Sequence, residues 1–131
     1  MTAVRRAFIC TATVIAIAAC ASSSVPVRNY QAVAIAAKTN PSLDQIGKAI
    51  VAGSAAAGWQ ANEVRPGVIV ATHKIRNHFA IVDIAYTSNA YNITFKEGDP
   101  GLKFDGTNIH QNYNGWVENL EKVIRAHVNA L

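Results

Sequence analysis

The stretch "GTNIHQNYNGWVENL" (106–120) gathers His110, Tyr113, Trp116 and four asparagines into fifteen positions. Two chemistries suit those residue types. Asparagine side chains can satisfy the free amides at the start of a helix while Tyr113 and Trp116 anchor it through their rings. Alternatively, His110, Asn112 and Asn114 can form a polar rim that grips a glycan, a peptide or a partner protein. From 113 onward the apolar residues recur with helical spacing, so Tyr113 and Trp116 are assigned to packing. That leaves His110, Asn112 and Asn114 as the side chains open to contact with a partner, and capping is the favoured role even for these.

Asp83 is a second candidate, because it sits between Val82 and Ile84 in a strongly apolar strand. A carboxylate so placed can act as a general acid or base, but that chemistry needs a second positioned group. Strand alternation puts Asp83 on the same face as Thr94 and Lys96, where a cross-strand or diagonal ion pair accounts for it. Phe79 and Ile81 share this mixed face and, with Asp83, form a candidate contact surface for a partner.

His73, His78, His110 and His127 complete the inventory of groups able to ligate a metal. His73 and His78 flank one turn, yet no third ligand follows at a zinc-like spacing and there is no H-E-x-x-H or CxxC. His127 falls on an apolar helical stripe and reads as a satisfied core or edge residue. There is no G-x-S-x-G, no glycine-rich phosphate loop and no Cys/His pair. The expectation is a protein without a cofactor, metal or catalytic residue.

These groups must be held by regular elements. "NYQAVAIAA" (29–37) reads as a strand. Ser42 and Gln45 have capping-box spacing ahead of a helix carrying Leu43, Ile46 and Ile50, and Gly58 supplies its stop. The period then changes to two. Arg65-Pro66-Gly67 fits a type II turn, "VIVATHKI" and "HFAIVDIAY" are strands about a break at Arg76-Asn77, and Ser88-Asn89 turns into "AYNITFKE". With that tip, Tyr86 faces Tyr91, Ile84 faces Ile93 and Val82 faces Phe95. Residues 97–106 form a loop in which Leu102 and Phe104 turn back to the body. The closing helix buries Tyr113, Trp116, Val117, Leu120, Val123, Ile124, His127 and Leu131, with Glu118–Lys122 and Glu121–Arg125 pairs on its opposite face. The order β-α-β-β-β-β-α predicts an α+β domain, a two-layer antiparallel meander sheet with two helices on one face.

At 131 residues the chain has room for one domain. Its first residues are of another kind. Arg5 and Arg6 precede a short apolar run, which is too short to span a bilayer and reads as a secretory signal. Ile17-Ala18-Ala19-Cys20 resembles the lipobox of bacterial lipoproteins. The expected division is a signal peptide over 1–19, a lipidated N-terminus and tether over 20–28, and a single periplasmic α+β domain over 29–131. The competing cut after an A-x-A site would instead leave a soluble periplasmic domain. By resemblance to the lipoprotein sorting rule, Ala21 and Ser22 after the cysteine imply the outer membrane. Loss of Arg5 and Arg6 leaves ten of the twelve Lys+Arg against eight Asp+Glu, a formal +2. With no dense basic patch, no nucleic-acid partner is expected.

"GVIVAT", "HFAIVDIAY", "YNITF", "LKFDG" and "IHQNYNGWVENL" together resemble an uncharacterised family of small proteobacterial lipoproteins, over roughly residues 44–124. The resemblance implies a single envelope domain and supplies no catalytic residues. The sequence thus predicts a non-enzymatic outer-membrane lipoprotein, anchored at Cys20, that binds or scaffolds an envelope protein or peptidoglycan. The alternative is a periplasmic small-ligand or metal-binding protein, and a hydrolytic enzyme stands third.

Overall fold

The computed structural model describes residues 23–131, so the expected signal peptide and Cys20 lie outside the described residues. The elements are β1 (Ser24–Pro26), β2 (Tyr30–Ala34), α1 (Leu43–Ala56), β3 (Gln60–Arg65), β4 (Val68–Ile75), β5 (His78–Tyr86), β6 (Ala90–Gly98), β7 (Asn108–His110) and α2 (Gln111–Asn129), with one 3-10 turn at Pro100–Leu102. Five strands make an antiparallel sheet in the order β2-β6-β5-β4-β3, and β1 pairs with β7 in a separate two-stranded sheet. The domain is α+β, with both helices packed on one face of the large sheet.

The meander has the expected register. Tyr86 opposes Tyr91, Ile84 opposes Ile93 and Val82 opposes Phe95. Ile69, Ala71, Ala80, Val82, Ile84, Tyr91 and Ile93 lie under the helices and are buried. Ile46, Ala49 and Ile50 of α1 meet them, as do Tyr113, Val117, Leu120, Ile124 and Val128 of α2. The Tyr113 hydroxyl is buried without a hydrogen-bond partner, and burial raises its pKa.

Local signals account for α1. The Ser42 side chain accepts from the Gln45 amide while the Gln45 side chain accepts from the Ser42 amide. At the other end Trp59 N–H donates to the Ser54 carbonyl and Gly58 N–H to that of Ala55, with Gly58 at φ +84°. This Schellman closure folds Trp59 back into the core. Gly53 lets the helices touch: a Cβ there would lie 3.0 Å from the Ile124 Cα.

Two expectations need correction. The segment read as a tether over 20–28 contains β1, whose Val25 pairs with Ile109, so the fold begins inside it. The expected meander runs from β3 to β6, with β2 added beside β6 and α1 carrying the chain across to β3 at the opposite edge. Glu121, assigned to the wet face of α2, is 1% exposed. It accepts a 2.8 Å hydrogen bond from the Tyr91 hydroxyl and pairs with Arg125. A helix long enough to curve over a sheet turns more than one stripe inward, and a buried carboxylate is tolerated when paired.

Candidate functional site

Strand direction divides the molecule into two ends. The turn at Arg76-Asn77, the 3-10 turn, β7, β1 and the first turn of α2 meet at one end, called here the near end. The turns at Gly67 and at Ser88-Asn89 lie at the far end, where Tyr86 N–H donates to the Gly67 carbonyl.

At the near end, Asp99 caps the 3-10 turn. One carboxylate oxygen accepts from the Phe79 amide and the other from the Gly101 amide, each at 2.9 Å. The second oxygen also accepts from His78 Nδ1 at 2.9 Å. Burial acts to raise the Asp99 pKa, but the bonds from His78 and the two amides outweigh it, so the group stays below the usual carboxylate range. Gly101 is required for close approach, since a Cβ would lie 2.6 Å from the His78 ring. Because an ionised carboxylate only accepts, His78 carries its proton on Nδ1, and neutral His78 presents Nε2 as an acceptor.

His110 has the opposite arrangement. It is the N-cap of α2, and its Nδ1 accepts from the Asn112 amide at 3.2 Å. Neutral His110 therefore carries its proton on Nε2 and presents a donor. The two rings line one small cavity of about 80 Å³ with Gly101, Leu102, Asn112 and Trp116. A wider cleft of about 320 Å³ shares His78, Asn112 and Trp116, and is bounded by Ile75, Arg76 and Asn77. Its support is a ring stack. Trp59 stacks on His73 with centroids 4.9 Å apart, and Trp116 meets His73 edge-on at 5.3 Å.

This arrangement offers an acceptor, a donor, an Asn112 side-chain amide without a protein partner among the described residues, and an indole. Such a set can hold a ligand group that both donates and accepts, such as an amide, against an aromatic wall. The cavity residues include no hydroxyl or thiol nucleophile. Among the described residues no three His, Cys, Asp or Glu side chains cluster in a way that would hold a metal.

The six candidate contact residues therefore separate. His110 and Asn112 meet at the cavity, but His110, rather than an asparagine, provides the cap. Asn114 is a clamp: its amide donates to the Pro26 carbonyl and its oxygen accepts from the Arg28 amide, both at 2.9 Å. Those bonds hold β1 to α2, and Asn114 lies on a separate cleft beside Val25, Arg28 and Gln111 rather than at the histidine cavity. Phe79, Ile81 and Asp83 lie on the uncovered face of the sheet, away from the cavity. Asp83 stands 3.6 Å from Lys96 with both side chains nearly half exposed, a weak surface ion pair of the kind expected. His127 is satisfied by the Val123 carbonyl at 2.9 Å. His73 and His78 have separate partners.

Sequence reasoning missed His78 and Asp99 as a pair and Trp116 as a wall of the cavity. Asp99-Pro100-Gly101 is a legible capping turn, but nothing in it points across 21 positions to His78. Fold and site together define a two-layer α+β domain with a polar–aromatic cavity at one end. No family model matches this chain, and comparison with curated proteins and with solved structures finds no similar one.

Proposed function

We propose that the protein is a non-enzymatic binding module of the bacterial cell envelope, acylated at Cys20, retained at the periplasmic face of the outer membrane and recognising its partner through the near-end cavity. The anchor, the location and the small-lipoprotein kinship rest on the lipobox-like Ile17-Ala18-Ala19-Cys20 and on the motif resemblance. One observation carries the binding reading: His78, His110 and Asn112 line a single cavity walled by Trp116, and one nitrogen of each ring and the Asn112 side-chain amide have no partner among the described residues. An envelope protein or peptidoglycan fits, since both present amides. A freely diffusing small ligand is the second reading, favoured by the small size of the inner cavity.

Photo-cross-linking in cells, from position 112 and in parallel from Asn89 at the far end, tests this. An envelope component captured from 112 and not from 89 is the expected result, with capture lost in His78→Ala. Equal capture from both positions would sink the cavity as the binding site. Separately, Cys20→Ser should abolish fatty-acid labelling; persistence of label would remove the anchor from the account.

A further inference from the structure

The geometry points to the exposed rim of the near end as a surface that docks on an anionic phospholipid bilayer. This deepens the envelope reading and rests on it for the tether. Cys20 precedes Ser24 by four residues, which span at most about 14 Å. Ser24 itself pairs with His110 at the cavity. A lipid on Cys20 would thus hold this end, and no other, beside the headgroups.

The side chains exposed here suit that position. Of the large apolar residues exposed among those described, Ile75 (39%), Phe79 (36%) and Phe104 (43%) belong to this end. They are interleaved with Lys74, Arg76 and Lys103, none of which forms a salt bridge among the described residues. Arg76 and Lys103 occupy left-handed backbone, at φ +53° and +50°, at the tips of their loops, where glycine or asparagine would be less strained.

Most carboxylates of this end are engaged within the fold, Asp99 largely covered and Asp105 exposed. Asp99 is held by the Phe79 and Gly101 amides and by His78, and Asp105 by the Thr107 and Asn108 amides at 2.9 and 2.7 Å. Glu97 lies one strand pair behind the tip, opposite Ile81, and Glu118 is paired with Arg28 and Lys122. Apolar residues flanked by cations that form no salt bridge among the described residues, beside a lipid anchor, combine insertion of apolar side chains with attraction to anionic headgroups.

The test uses the full acylated protein in vesicles. Acylation consumes the Cys20 thiol and Cys10 leaves with the signal, so an introduced cysteine carries the only label. A fluorophore at Thr107→Cys (near end) or Asn89→Cys (far end) is read against brominated lipid in phosphatidylcholine vesicles with and without phosphatidylglycerol. The expected result is quenching from 107 only, strongest with phosphatidylglycerol. The triple variant Lys74→Glu, Arg76→Glu, Lys103→Glu should weaken docking on the order of a hundredfold, at about fivefold per cation. Circular dichroism confirms that this variant is folded. Equal signals from the two ends on acylated protein overturn the inference and leave the anchor intact, and a 107 signal indifferent to charge reversal overturns the anionic surface. If Cys20 proves unacylated, the same protein is added to the vesicles from solution. Co-sedimentation lost on charge reversal then supports the docking surface, and no co-sedimentation overturns it.

Discussion

The near and far ends are built from similar residue types and put them to different use. At the far end the Tyr86 hydroxyl donates to Glu63 at 2.5 Å, and Tyr91 donates to Glu121, which Arg125 neutralises. Burial pushes both phenols above their ordinary pKa, and the neighbouring carboxylates push them further. Each polar group has its partner within the fold. At the near end the histidines are fixed through one nitrogen only, His78 by Asp99 and His110 by the Asn112 backbone amide, and the other nitrogen has no partner among the described residues. The same polar–aromatic vocabulary locks a core when it closes on itself and leaves hydrogen-bonding capacity open to a proposed partner when it stops one bond short.

Two substitutions sharpen that contrast. Arg125→Ala removes the cation from a carboxylate that is 1% exposed. It should cost on the order of 2–3 kcal/mol, below the full price of breaking a buried pair because the Arg125 side chain is half exposed. Urea denaturation at neutral pH measures it, and a loss under about 0.5 kcal/mol would show that the far end is not locked by this pair. Trp116→Ala should cost about 1–2 kcal/mol, less than the 3–5 typical of a core aromatic, because this ring walls a cavity and is only partly buried. Its larger effect should fall on partner capture. A cost equal to that of Trp59→Ala, with capture unchanged, would return Trp116 to the core.

The architecture was legible where local rules and periodicity agree. The Ser42–Gln45 capping box, the Gly58 stop, the Pro66-Gly67 turn and the β5–β6 register all follow from spacing, because a two-residue tip and alternating apolar positions admit one pairing. Asp83 was legible for the same reason, as a member of the mixed face. The strands β1 and β7, three residues each, are too short to carry a period, and their pairing joins segments more than eighty positions apart. The Asn114 clamp and the His78–Asp99 bond are likewise single side-chain contacts made by tertiary approach. Of the site, His110 and Asn112 were recognisable from crowding of residue types, whereas His78 and the exposed side of Trp116 depend on which ends of the elements meet.

The central claim is that the two cavity histidines present opposite hydrogen-bonding faces, and long-range proton–nitrogen NMR of the imidazoles tests it most directly. At about pH 8, where ordinary imidazoles are neutral, His78 should be the Nδ1–H tautomer and His110 the Nε2–H tautomer. Finding both histidines in one tautomer, or His110 protonated on Nδ1, would contradict the account.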